Sequence, residues 1–119
     1  MDEADVIRMM EMISAAGLAR SRYLEAIRAA KKSDFESVRM LLEEGEACFG
    51  KAHEIHSELL ASGCGDLLNC KGAGINLIQV HAEDQMMCSE TFRILGMELI
   101  EIYKMHSLGC VWQQSVSVR

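Results

Sequence analysis

The chain has 119 residues, half of them hydrophobic, and a formal net charge of -6, which is typical of one domain with one core. The acidic excess argues against nucleic acid as a partner, because binding to a phosphate backbone needs clustered Lys and Arg. The apolar runs are shorter than the ~20 residues of a membrane-spanning helix, and the acidic start is unlike a signal peptide.

The first predicted helix covers about residues 4 to 32. The chain contains no proline, so the strongest helix breaker is absent and long helices are expected. Apolar or small residues recur in steps of three and four and predict one buried stripe. The stripe consists of Val6, Met10, Ile13, Gly17, Leu24 and Ile27.

The second predicted helix covers about residues 34 to 61. Ser33 is the predicted N-cap and Glu36 its capping-box partner. The short connection between the two helices predicts an antiparallel hairpin. Glycines inside this helix are costly, each about 1 kcal/mol against alanine. The predicted stripe is Phe35, Val38, Leu42, Gly45, Phe49, Ala52, His56 and Leu59.

The third predicted helix covers about residues 75 to 107 and follows a glycine-rich loop at 61–74. We assign residues 1–110 to one three-helix domain and expect the tail at 111–119 to be frayed. The apolar stripe of this helix also contains a histidine and an aspartate. Its members are Leu77, Ile78, His81, Asp84, Cys88, Thr91, Phe92, Leu95, Leu99 and Ile102.

The predicted fold class is therefore all-α, an antiparallel up-down-up bundle of three helices. An ionised Asp84 on an apolar stripe is expensive unless the carboxylate is paired or binds a metal. Self-association around the third helix, with its stripe at a shared axis, is one resolution.

Two histidine-containing sets could carry chemistry. His81 and Asp84 are three residues apart and share one helical face, but this spacing alone is also typical of a structural histidine. His53 and His56 stand at the same spacing on the second helix and could bind a metal or make surface contacts. Arg20 could meet an anion or lie on the solvent face.

The five cysteines do not point to a site. They are Cys48, Cys64, Cys70, Cys88 and Cys110, and they form no C-x-x-C pair. Neither a disulfide framework nor a zinc site is indicated. Reduced thiols in a cytoplasmic protein are the simpler interpretation.

Three segments together resemble the lactose/cellobiose-type enzyme IIA family of sugar phosphotransferase systems. Residues 80–87 resemble the family signature V-H-A-x-D-x-x-M, residues 16–21 its A-G-x-A-R-S start, and residues 52–59 its A-H-x-x-Q-T-x-L segment. The blocks occur in the family's order. Their combination is far more specific than any single motif.

The resemblance implies a phosphocarrier. His81 matches the phosphorylated histidine of the family, which takes its phosphoryl group from the carrier protein HPr and passes it to a cysteine of enzyme IIB. Asp84 matches the aspartate that binds a divalent cation, expected to be Mg²⁺ with one ion per trimer. The implied assembly is a homotrimer with nine helices, acting in the uptake of a lactose-, cellobiose- or chitobiose-type sugar.

Two departures from the family pattern concern the site. Gln85 stands where relatives usually carry a second histidine, and a supporting role is expected for it. His56 stands where a glutamine is usual. The competing interpretations are a non-catalytic oligomeric scaffold, in which His81 is structural, and a metal-binding bundle that uses His53 and His56.

Overall fold

The computed structural model describes residues 3–62 and 77–117, with side chains as far as residue 108. These residues form three helices, α1 (Glu3–Lys31), α2 (Phe35–Ala61) and α3 (Leu77–Ser117), and the described ranges contain no strand. The predicted all-α class is confirmed. The expected loop at 61–74 lies outside the described residues from position 63 onward.

The turn between α1 and α2 is built differently from the predicted capping box. Ser33 has a positive φ of 59°, and its N–H donates to the Ala30 carbonyl while the Asp34 N–H donates to that of Ala29. This pair of bonds is the Schellman arrangement that ends a helix with one left-handed residue. Ser33 therefore terminates α1, and the predicted N-cap was wrong by one residue. Asp34 caps α2 instead, accepting a hydrogen bond from the backbone N–H of Ser37 at 3.2 Å.

Two core clusters fix the direction of each helix. One joins the first half of α1 to the end of α2 and the start of α3. Its members are Met9, Met12, Ala15 and Ala16 of α1, Ala52, Ile55 and Leu59 of α2, and Ala82 and Met86 of α3. The other joins Ala26 and Ala30 of α1 to Val38 and Ile100. Helix α2 thus runs antiparallel to α1 and α3 runs parallel to it, which confirms the up-down-up order.

Helix α1 packs against both of its neighbours, whereas α2 and α3 make few contacts with each other. Because α1 is covered on two sides, its buried positions do not follow the predicted stripe. Met10 of that stripe is 57% exposed, and the prediction for this helix was wrong by about one residue. The residues buried instead are Met9, Met12, Ala15, Ala16, Ala19, Tyr23, Ala26 and Ala30.

Gly45 of α2 has a packing role that offsets its low helix propensity. A Cβ at this position would lie 2.8 Å from Cε1 of Tyr23, so only glycine lets the two helices enclose the buried ring. The stripe predicted for α2 is confirmed at Val38, Gly45, Ala52 and Leu59, all of which are buried.

A polar contact joins all three helices beside that ring. The Tyr23 hydroxyl donates to Oε1 of Glu46 at 3.1 Å, and Nε of Arg93 donates to the same oxygen at 2.7 Å. Burial and the neighbouring carboxylate raise the pKa of Tyr23 above its ordinary value. The bond from Arg93 lowers the pKa of Glu46, so the pair is charged in the folded chain.

Helix α3 is longer than predicted. Nζ of Lys104 lies 5.9 Å from the centre of the Phe35 ring, at the start of α2, so α3 passes the α1–α2 turn near Lys104. The helix continues to Ser117 rather than ending near residue 107, because no proline interrupts it and a single glycine costs only about 1 kcal/mol. The backbone at 111–117 is helical where a frayed tail was expected. None of the described helices is long and apolar enough to cross a membrane.

Candidate functional site

His81 lies on α3 at the border between the face that packs on α1 and the exposed outer face. Its neighbours Ala82 and Met86 are 1% and 5% exposed and belong to the core cluster shared with α1. Gln85, which follows His81 by four residues and shares its side of the helix, accepts a hydrogen bond from Arg20 of α1. The imidazole of His81 is exposed, with no hydrogen bond or ion pair to another described residue. A partner protein can therefore reach it.

Asp84 shares this outer face, one turn further along the helix. Leu77, Leu95 and Ile102 of the apolar stripe predicted for this helix are all more than half exposed. A single chain therefore does not cover these residues, and self-association around the stripe stays a prediction. In an isolated subunit the Asp84 carboxylate is hydrated, so the expected cost of burying it does not arise.

Glu83 is drawn away from the outer face by a histidine of α2. Nε2 of His56 lies 3.0 Å from both carboxylate oxygens of Glu83. Spacing along the sequence indicates no partner for Glu83 and pairs His56 only with His53. This contact keeps a carboxylate two residues from His81 engaged with a neighbouring helix.

The metal-binding alternative on α2 finds no support among the described residues. His53 is exposed, and its ring lies against Phe49 with centroids 6.2 Å apart, while His56 is held by Glu83. No group of three or more His, Cys, Asp or Glu side chains in the described part of one chain could hold a metal ion.

Arg20 of α1 reaches the side of α3 next to His81. Its Nη1 donates to Oε1 of Gln85 at 3.1 Å and lies 3.8 Å from Sγ of Cys88. The guanidinium is half-buried between α1 and α3, so of the two interpretations left open, the solvent face does not describe it. The A-G-x-A-R-S block was the only sequence signal for this residue, and spacing alone could not link it to a glutamine 65 positions away.

A groove of about 950 Å³ runs along α1 and α2. It does not include His81. Its lining contains Ile7, Met10 and Leu18, which are 52%, 57% and 45% exposed, together with Cys48 and Lys51 of α2. The groove is an apolar surface separate from the outer face of α3.

Comparison with known proteins identifies the family to which this chain belongs. The family model described as "PTS system, Lactose/Cellobiose specific IIA subunit" matches residues 8–104. The chain belongs to the lactose/cellobiose-specific enzyme IIA family. Members of this family are phosphotransferase components of the sugar phosphotransferase system, and the predicted resemblance is confirmed. The match includes His81, Asp84, Gln85 and Arg20.

Three relatives illustrate the range of this enzyme IIA family. The lactose-specific EIIA component of Staphylococcus epidermidis is 36% identical over 96 residues, covering 79% of this chain and 86% of the relative. The lichenan-specific enzyme IIA component of Bacillus subtilis is 32% identical, covering 81% of this chain and 84% of the relative. The N,N'-diacetylchitobiose-specific EIIA component of Escherichia coli is 29% identical, covering 81% and 79%.

A solved structure shares the enzyme IIA fold. The cellobiose-specific enzyme IIA of Bacillus anthracis superimposes with a TM-score of 0.78 at 24% sequence identity, covering 91% of this chain and 95% of the other. The similarity in structure therefore extends over nearly the whole of both chains.

Proposed function

We propose that this enzyme IIA component carries a phosphoryl group on His81. It accepts the group from phosphorylated HPr and passes it to a cysteine of enzyme IIB. The observation that carries the proposal is the exposed imidazole at the motif position, free of described partners and next to the buried residues Ala82 and Met86 of α3. The relatives named above, all sugar-specific IIA components, support the same role.

The transfer is an exchange of one nitrogen–phosphorus bond for another. A neutral His81 ring nitrogen donates its lone pair to the phosphorus of phospho-HPr, while the electron pair of the breaking bond returns to the HPr imidazole. Each ring keeps the proton on its other nitrogen, so HPr leaves as a neutral imidazole, the phosphorylated His81 ring retains its N–H, and no external base is needed. Such a step asks the protein mainly for positioning and for stabilisation of charge.

The transfer needs an unprotonated nitrogen on His81, because a protonated nitrogen has no lone pair to donate. Exposure of His81 on α3 also permits an in-line approach by a partner. The engagement of Glu83 by His56 keeps one carboxylate from approaching the incoming phosphoryl dianion.

We further propose a homotrimer around the outer face of α3. Exposed apolar side chains on one helical face are typical of an interaction site, and Leu95, Leu99 and Ile102 are 56%, 40% and 57% exposed on this face. The apolar groove on α1 and α2 supplies a second surface that association could cover.

A metal ion at the trimer axis fits the residues present. Asp84 lies on the outer stripe, and its exposed carboxylate has no described partner. Three such carboxylates, one from each subunit, would hold one divalent cation with the oxygen ligands that Mg²⁺ prefers. The ion would offset their mutual repulsion when bound.

The proposed setting is the cytoplasm, where HPr and enzyme IIB would act with this chain during sugar uptake. The sugar belongs to the lactose, cellobiose or chitobiose class, because the relatives are specific for lactose, lichenan and N,N'-diacetylchitobiose. The sugar itself is handled by the membrane component of such a system.

The test is phosphorylation of the purified protein by phosphoenolpyruvate, enzyme I and HPr, followed by mass spectrometry. We expect an acid-labile phosphoryl group on the wild type and on His53→Ala, and none on His81→Ala. His53 is the matched control, because it is a second exposed histidine with no described polar partner. Absence of label from the wild type, with active donors, would favour the scaffold interpretation.

A further inference from the structure

Arg20 differs from the other paired arginines of the described chain. Arg8, Arg22, Arg39 and Arg93 each form an ion pair with at least one glutamate. Arg20 is half-buried, and its described partners are a neutral amide and a thiol. Within the described ranges, no carboxylate neutralises this guanidinium.

The partner amide places this cation next to His81. Gln85 follows His81 by four residues and shares its face of α3, one turn of about 5.4 Å along the axis. A guanidinium carries five N–H donors, and the contacts to Gln85 and Cys88 use only one of its nitrogens, Nη1. The remaining donors are available to a group that arrives on the His81 ring.

The local charge makes such a donor valuable. A phosphohistidine brings close to two negative charges to a face that already holds Asp84. Glu83 is engaged by His56 on the neighbouring helix, so that histidine is not available to the phosphoryl group. Among the described side chains, Arg20 is the cation that contacts Gln85 and Cys88 beside His81.

We propose that Arg20 binds the phosphoryl group on His81 and stabilises the phosphorylated state, with Gln85 as the residue that positions its guanidinium. The inference rests on the proposed phosphocarrier function and adds a residue to it. Arginine suits this task because its planar donors match phosphate oxygens and it stays charged at every physiological pH. Arg20 exchanges no proton in the transfer; it binds phosphoryl oxygens while the bond to the HPr nitrogen breaks and the bond to the His81 nitrogen forms.

The first test is the equilibrium of phosphoryl transfer between HPr and this protein. The phosphorylated fraction is measured against the ratio of phospho-HPr to HPr for the wild type, Arg20→Gln, Arg20→Lys and Arg28→Gln. Loss of a charge-assisted hydrogen bond is expected to lower the transfer constant about tenfold in Arg20→Gln. Arg20→Lys is expected to fall between that variant and the wild type. Arg28→Gln removes the same charge from an exposed position of α1 and is expected to match the wild type.

The second test reports on the phosphoryl group itself. The second pKa of the phosphoryl group, followed by ³¹P NMR against pH, is expected to rise in Arg20→Gln because the dianion loses a neighbouring cation. Gln85→Ala is expected to give a smaller rise, since Arg20 is present but unanchored. A purely structural role would leave this titration unchanged. If the glutamine variant fails to fold by circular dichroism, the transfer constant of Arg20→Lys and the ³¹P titration of Gln85→Ala carry the test.

The outcomes separate the two proposals. A wild type that is phosphorylated on His81, with Arg20→Gln at the wild-type transfer constant and the wild-type ³¹P titration, overturns the role of Arg20 alone. A wild type that takes no label from active phospho-HPr overturns the phosphocarrier function and this inference with it. A tenfold loss in Arg20→Gln, a smaller loss in Arg20→Lys and none in Arg28→Gln support both.

Discussion

His56 on α2 and Glu83 on α3 face each other with Nε2 of the imidazole 3.0 Å from both carboxylate oxygens. Contacts between these two helices are few, because α1 lies against both of them. The pair therefore ties the N-terminal half of α3, which carries His81, to the hairpin formed by α1 and α2. The pair also holds the carboxylate of Glu83 against α2.

Replacement of His56 by alanine is expected to have two effects. Stability should fall by only about 0.5 kcal/mol, because the pair is partly exposed. Phosphorylation of His81 should also become less favourable, because a released Glu83 carboxylate would repel the phosphoryl group. Urea unfolding and the HPr transfer equilibrium measure the two effects. His53→Ala is the control, and equal behaviour of the two variants would contradict the role given to His56.

Two glycines of α2 are expected to respond to alanine in opposite directions. Gly45→Ala should destabilise the fold by about 1–3 kcal/mol, because its Cβ would meet the Tyr23 ring at 2.8 Å. Gly50→Ala should stabilise it by up to about 1 kcal/mol through helix propensity, because a Cβ there meets nothing within 4 Å. Thermal and urea unfolding provide the comparison. Stabilisation by Gly45→Ala would show that α1 and α2 pack less closely than described.

The acid limb of the stability curve is expected to depend on Glu46. Its pKa is lowered from 4.5 by the hydrogen bond from Arg93, so the folded state favours the ionised carboxylate. This contribution is present above about pH 4.5 and is lost as the pH falls through the lower pKa of the folded state. The free energy of unfolding of Glu46→Gln should therefore vary less with pH below this value than that of the wild type. Parallel curves for the two proteins would rule out the contribution.

Asp84→Asn is expected to weaken the proposed trimer or its metal binding. Three neutral amides are poorer ligands for a divalent cation than three carboxylates. Light scattering and elemental analysis of the purified protein measure mass in solution and bound metal. Glu90→Gln, at another exposed acidic position of α3, controls for the change in charge. Unchanged mass and unchanged metal content in Asp84→Asn would contradict the proposed metal site at the trimer axis.

The sequence predicted the number and order of the helices because proline is absent and apolar residues recur at helical spacing. It predicted the buried face of α2 because that helix packs mainly on α1. The buried stripe predicted for α1 was wrong by about one residue. This helix has two neighbours, and alanines such as Ala16, Ala19 and Ala26 are completely buried on it. Small residues carry a weak hydrophobic signal, so periodicity favoured the larger side chains instead.

The motif indicated His81 and Asp84 as site residues, and both side chains are exposed on α3. Periodicity alone could not say which residues of the stripe a single chain leaves uncovered. The contacts of Arg20 with Gln85 and of His56 with Glu83 cross between helices, and the sequence gives no spacing rule for such pairs. The division at residue 110 and the roles of His81, Asp84 and Gln85 stay predictions.

The central claim is that His81 carries a phosphoryl group between two partner proteins, and a chase experiment tests it most directly. The protein is labelled from phospho-HPr, separated from the donor and mixed with a cognate enzyme IIB. The account predicts that an acid-labile group leaves His81 and appears on the enzyme IIB cysteine, and that His81→Ala neither gains nor transfers label. Label that reaches enzyme IIB equally through His81→Ala, or wild type that never becomes labelled, would contradict it.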